Sequence, residues 1–145
     1  MARTARSCLD SSVLFKLVVP EAGTAEAERL WASVLTRDRL PVAPDFAWTE
    51  VGSALLRRIR QGLLTPALAA EAWGAFRDLP LVFISGHELA DRAWILARRW
   101  QLPTVYDAAF LAAGEGQEFW TADERLVEAL GHPRPGWVHL LGRAG

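Results

Sequence analysis

The chain has 145 residues, 51% of them hydrophobic and 23% charged, with a formal net charge of −1. A chain of this length forms one domain and buries about 70% of its unfolded surface, and a composition this apolar excludes a disordered chain. The near-zero charge excludes a global basic field, so any nucleic-acid contact must use a local patch. The single Cys8 excludes an internal disulfide or a cysteine-rich zinc site, and it reads as a buried thiol of the first strand. No stretch approaches the ~18 uninterrupted apolar residues of a membrane span. Arg3 and Arg6 precede an apolar segment, but Asp10 and Lys16 interrupt it, so no signal-peptide pattern is read and the cytoplasm is the expected location.

In chain order, Ser7 to Asp10 is a short buried strand and Ser12 to Val19 a short helix closed by Pro20. Thr24 to Thr36 is helical, and Pro41 to Pro44 is a short strand or an extended link. Asp45 is placed to cap a helix that runs to about Gln61, before Gly62. Thr65-Pro66 opens the next helix, which ends near Asp78, and Leu81 to Ile84 is a second clear strand. Ser85 or Gly86 to Gln101 carries the stripe Leu89, Ala93, Leu96, Ala97 and Trp100 of a helix. After Pro103 a helix runs from about Thr104 to Ala113. Glu118 to Thr121 is a strand, Glu124 to Leu130 a helix, and Trp137 to Leu141 a last strand. Strands alternating with helices predict an α/β fold with a parallel sheet covered on both faces, in one domain without repeats or linkers.

Four acids stand out against this apolar background. Asp10 ends the first strand, Glu50 lies within a helix, Asp107 sits in the first turn of another, and Asp123 follows the strand 118–121. In open α/β sheets ligands bind outside the carboxyl ends of the strands, so Asp10 and Asp123 are expected to meet at one sheet edge. At 100° per residue, Ala47, Val51, Ala54, Leu55 and Ile59 form one stripe, with Glu50 at its border. Ala108 and Ala109 leave room beside Asp107. Carboxylates gathered in one place repel one another and raise each other's pKa values. A hard divalent cation relieves that repulsion, and oxygen-only ligation favours Mg2+ or Mn2+ over zinc.

The ordered set Leu9-Asp10-Ser11-Ser12-Val13-Leu14, Glu50 ahead of Ala54-Leu55-Leu56-Arg57-Arg58, Tyr106-Asp107-Ala108-Ala109-Phe110-Leu111-Ala112-Ala113 and Thr121-Ala122-Asp123-Glu124-Arg125-Leu126 resembles the PIN-domain ribonucleases. It resembles most the VapC toxins of type II toxin–antitoxin pairs. The likeness runs from about Ser7 to Leu141. It implies a three-layer α/β/α sandwich on a mostly parallel sheet of four to five strands. It also implies metal-assisted hydrolysis of RNA phosphodiesters, with Asp10, Glu50, Asp107 and Asp123 as catalytic and metal-binding residues. Asp10 and Asp107 would ligate directly, and Glu50 through a direct bond or a water. Ser12 and Thr121 would orient carboxylates or water, and Glu124 would be a further acid able to share a ligand role. Arg57, Arg58 and Arg60, then Arg98 and Arg99, are the expected RNA contacts. The implied partners are an RNA substrate, a VapB-like antitoxin that inserts a basic residue into the acidic site, and a second copy in a homodimer.

Each acid also has an ordinary explanation taken singly. Thr104-x-x-Asp107 and Thr121-x-x-Glu124 both imitate capping boxes, Asp10 could cap the helix after it, and Glu50 could pair with an arginine on a wet helix face. The arginine cluster reads equally well as a solvated face. The seven Trp are expected in the core or an interface. His87, His132 and His139 lack ligand spacing and read as surface or strand residues. Gly114-Glu115-Gly116 reads as a helix stop, since a phosphate loop needs a following Lys-Ser/Thr. A dehalogenase-like phosphatase wants Asp-x-Asp where Asp10-Ser11-Ser12 stands, and a receiver domain wants a late lysine where none follows Lys16. A PIN nuclease of RNA processing without an antitoxin and a catalytically silent PIN-like binding module are the remaining readings.

Overall fold

A computed structural model describes residues 4–142. The elements run β1 (Arg6–Leu9), α1 (Ser11–Val18), α2 (Thr24–Thr36), β2 (Leu40–Pro44), α3 (Ala47–Arg60) and α4 (Pro66–Asp78). They continue as β3 (Val82–Ile84), α5 (His87–Arg99), α6 (Val105–Gly114), β4 (Phe119–Thr121), α7 (Glu124–Ala129) and β5 (Val138–Leu140). The five strands form one sheet in the order β3-β2-β1-β4-β5, and every pairing is parallel. The sheet is thus wholly parallel, as strands joined through helices require.

The chain starts in the middle of the sheet, moves outward through β2 to β3, then crosses to the other side of β1 to add β4 and β5. Right-handed crossovers put the two outward-going connections on one face and the returning ones on the other. The packing agrees: α1 touches α2, α3 and α4, while α5 packs on α6, and α6 lies over β1, β2 and β4. The result is a three-layer α/β/α sandwich. Its core includes Leu9, Val13, Leu14, Val42, Val51, Phe110, Leu111 and Phe119, all at most 1% exposed.

Two local features show why the layers close. In α3, Ala47, Val51 and Leu55 recur every four residues and are buried, so burial of one stripe holds this helix on the domain. Helix α6 is buried along most of its length, and Gly114 is what lets its end approach the sheet. A Cβ there would stand 2.9 Å from Phe119 Cβ and 3.1 Å from Cys8 Cβ. The glycine is therefore a packing requirement besides marking the helix end. Cys8 itself is buried in β1, where burial pushes its thiol well up.

Some expected details change. Helix α3 begins at Ala47 with Phe46 as its cap, and no side chain caps it, so Asp45 does not have the expected role. Thr104 makes no cap bond for α6. Helix α7 is capped by Asp123, whose Oδ1 accepts from Arg125 N and Leu126 N, whereas Thr121 still belongs to β4. Thr65 does cap α4, accepting from Leu68 N. Trp48 and Trp94 are 53% and 58% exposed, so they are not core residues, whereas the other five Trp are partly buried against the core. Strand β3 is an edge strand with Val82 and Phe83 exposed.

Candidate metal centre

The strand order creates the site. From β1 the chain departs toward β2, and β4 lies on β1's other side, so a crevice opens at the carboxyl ends of β1 and β4. Asp10 is the first residue past β1, and Asp123 lies two residues past β4. Helix α3 brings Glu50 in its first turn, and α6 brings Asp107 in its first turn. All four acids line one cleft of about 810 Å³, shared with Lys16, Arg57, Phe46 and Tyr106. Four residues separated by up to 113 positions thus reach one cavity from four elements.

Asp10 is 6% exposed and held on all sides. Its Oδ1 accepts from Ser11 N at 2.9 Å, and its Oδ2 accepts from the hydroxyls of Ser12 at 2.8 Å and Thr121 at 2.7 Å. Each hydroxyl oxygen in turn accepts a backbone N–H, Ser12 from Ala122 and Thr121 from Asp123. A hydroxyl has one proton. With its oxygen occupied by a backbone donor, that proton is directed at Asp10. Ser12 and Thr121 therefore orient the carboxylate, and they tie α1 to the turn that carries Asp123.

Glu50 has a different support. Its Oε2 accepts from the Ser11 hydroxyl at 2.7 Å, while its Oε1 is buried without a hydrogen-bond partner. A buried, unsatisfied carboxylate oxygen is costly and calls for a compensating group. Ser11 was missing from the expected site because one residue of register decides whether a serine faces Asp10 or the neighbouring helix.

The electrostatics join the acids. Burial pushes Asp10 up to about 6; the Thr121 and Ser12 hydroxyls pull it down, and the charges of Asp107 and Glu50 push it further up. Burial raises Glu50 as well, opposed by the Ser11 hydroxyl and reinforced by Asp107. Asp107 is raised by burial and by Asp123, and drawn down by Arg125. Asp107 acts on both Asp10 and Glu50 and is acted on by Asp123, so it links the set.

Among the described residues, no group of three or more carboxylate, imidazole or thiolate side chains stands close enough together to hold a metal ion. The four acids line the same cleft, where Asp10 and Glu50 each accept hydroxyl hydrogen bonds. Hard oxygen donors, burial and then mutual repulsion that raise three pKa values, and the orphaned Glu50 Oε1 together fit a hard divalent cation, and fit zinc or a soft metal poorly.

The expected arginines divide. Arg57 is exposed and lines the cleft. Arg58 is committed elsewhere: it pairs with Glu21 at 2.8 Å and lies over the Phe15 ring. Arg60 is exposed but does not line the cleft. Arg98 lies over Trp94 on α5, and Arg99 over Trp100 just past its end. Glu21, unremarked in sequence, also lines the cleft and holds Lys16 as well as Arg58. His87 and His132 are exposed, and His139 stacks on Trp120 in the sheet.

No family model and no curated protein matches the chain. Among solved structures it is similar to the crystal structure of PAE2754 from Pyrobaculum aerophilum. That match has a TM-score of 0.62 and 21% identity, covering 89% of this chain and 87% of the other. This likeness establishes the fold.

Proposed function

We propose that the protein is a Mg2+-dependent endoribonuclease of the PIN-domain type that hydrolyses RNA phosphodiester bonds, with Mn2+ as a substitute. The observation that carries the reading is that Asp10, Glu50, Asp107 and Asp123 line one cleft at the carboxyl ends of β1 and β4. Bound there, a divalent cation supplies positive charge to a phosphate and makes a coordinated water more acidic.

The chain's own residues set up that chemistry. Asp10, Asp107 and Asp123 supply carboxylate oxygens, and Glu50 adds the buried Oε1. The Ser12 and Thr121 hydroxyls fix Asp10, so a ligand does not have to be ordered at each turnover. Arg57 offers a guanidinium to a flanking phosphate, which an otherwise acidic cleft would repel. No covalent nucleophile is required.

In the cell the reading extends to the toxin of a VapBC-type pair in the cytoplasm, neutralised by a VapB-like antitoxin whose basic residue enters the acidic cleft. Among the described residues no helix is long and apolar enough to cross a membrane. A homodimer belongs to the same reading. Trp48 and Leu56, 53% and 60% exposed beside the groove between α3 and α4, are apolar surface of the sort a partner covers.

The test is cleavage of total cellular RNA by the purified protein, with Mg2+, with Mn2+ and with EDTA, alongside Asp10→Asn. Discrete products that need the cation and vanish in the variant are expected. A folded, partner-free protein that leaves all RNA intact would overturn the reading, as would Asp10→Asn cutting at the wild-type rate.

A further inference from the structure

The acidic cleft has one aromatic wall. Tyr106 lines it and is 57% exposed, although it directly precedes Asp107 on α6. Its ring is supported from behind: it meets Phe46 edge-on at 5.3 Å and 78°, and Phe46 meets Phe110 edge-on at 5.7 Å and 90°. Phe110 is buried, 1% exposed. The three rings form a buttress from the core to the cleft surface. A single edge-to-face contact covers at most one face of the outer ring and leaves the other open, while packing limits its rotation. The other aromatic rings that line the cleft are less accessible: Phe15 is 7% exposed with Arg58 over its ring, and Phe46 is half-buried behind Tyr106.

We propose that Tyr106 is a stacking platform for the base next to the scissile phosphate, which makes it a specificity-determining residue for unpaired RNA. The proposal rests on the ribonuclease reading of the cleft. A phosphate held at the acids carries its sugar and base with it, and Tyr106 lines the same cleft as those acids. Every base has a π-face, so stacking here tolerates any sequence. It does require the base to be out of a duplex, because a paired base keeps both faces in its own helix. Arg57 then takes a neighbouring phosphate and fixes the strand's direction across the cleft.

The experiment uses a short end-labelled single-stranded RNA, the same strand annealed to its complement, and versions with one abasic position. Binding is read by fluorescence anisotropy in Ca2+, and cleavage in Mg2+, for the wild type, Tyr106→Leu and Tyr106→Trp. Tyr106→Leu is expected to weaken single-strand binding and raise KM by about ten-fold, with kcat nearly unchanged, and Tyr106→Trp to restore both. An abasic nucleotide at one position should weaken the wild type to a similar extent and cost the leucine variant nothing further. The proposal is overturned if the leucine variant stays within about twofold of the wild type. Equal abasic penalties in both proteins, or equal handling of duplex and single strand, would overturn it too, as would a wild type that binds no RNA. A wild type that shows the stacking signature in Ca2+ yet cleaves nothing in Mg2+ supports the platform while overturning the hydrolase reading.

Discussion

Ser11 and Ser12 are adjacent, similar in chemistry and different in duty. Ser12 donates to Asp10, while Ser11 donates to Glu50 across 39 positions of sequence. Holding one oxygen of Glu50 leaves the other as the group that a cation would satisfy. Ser11→Ala should therefore weaken Mn2+ binding by about ten-fold, the scale at which groups behind a metal ligand act, and Ser11→Thr should restore it. Calorimetric titration reads this directly, and unchanged affinity in the alanine variant would remove Ser11 from the site. The carboxylates themselves were legible in sequence because each interrupts an apolar setting where an acid is expensive. Ser11 was not, because nothing in a linear string says which of two neighbouring hydroxyls faces which acid. The pairing of Arg58 with Glu21 was hidden for the related reason that its partner lies 37 residues upstream.

At the scale of elements, periodicity carried most of the information. The stripe Ala47, Val51, Leu55 located α3 and put Glu50 at its half-buried border, where the structure has it. Caps were harder to read. Thr121-x-x-Glu124 looks like a capping box, yet β4 holds Thr121 and spends its hydroxyl on Asp10, leaving the cap to Asp123. A local pattern lost to a contact 111 residues away. Two glycines test how well the packing is understood. Gly114→Ala drives a Cβ into Phe119 and Cys8 and should lower stability by about 2 kcal/mol, the usual cost of overpacking. Gly74 lies inside α4 with nothing within 4 Å of an added Cβ, so Gly74→Ala should raise stability by about 0.5–1 kcal/mol. Denaturant unfolding of the two variants should show opposite signs; a Gly114→Ala variant no less stable than the wild type would mean that the α6–sheet contact is not as tight as the structure has it.

Across the whole molecule, stability and function place opposite demands on buried acids. Glu118, 8% exposed, accepts both terminal nitrogens of Arg37 at 3.0 and 2.9 Å and the Trp120 indole N–H, with Arg39 at 3.3 Å. Burial alone would raise its pKa, but Arg37, Trp120 and Arg39 outweigh it and hold the group at about 2, below its ordinary 4.5. A lowered acid stabilises the fold above its unfolded value, and that stability is lost as pH falls toward 2. Asp10 has the opposite sign. Its pKa is raised from 3.8 to about 6, so its ionisation costs stability progressively as pH rises through that window. Through these two groups, the metal-free protein should be most stable at about pH 4 to 5. Divalent cation should add stability chiefly above pH 6, where Asp10 is ionised. Thermal melts from pH 2 to 8, with and without Mg2+, check this, and Glu118→Gln should flatten the acid limb alone. Sequence concealed Glu118 because it reads as an ordinary strand start, while its arginines lie about eighty residues earlier.

The proposed cation site draws its four acids from four elements. The most direct measurement is calorimetric Mn2+ titration at neutral pH of the wild type against Asp10→Asn, Glu50→Gln, Asp107→Asn and Asp123→Asn, each shown folded by circular dichroism. Saturable binding is expected in the wild type and a loss of affinity of about ten-fold or more in every variant, with Asp107→Asn among the most severe because that residue's charge acts on both Asp10 and Glu50. Binding that is absent from the wild type, or that survives all four substitutions unchanged, would contradict the proposed site.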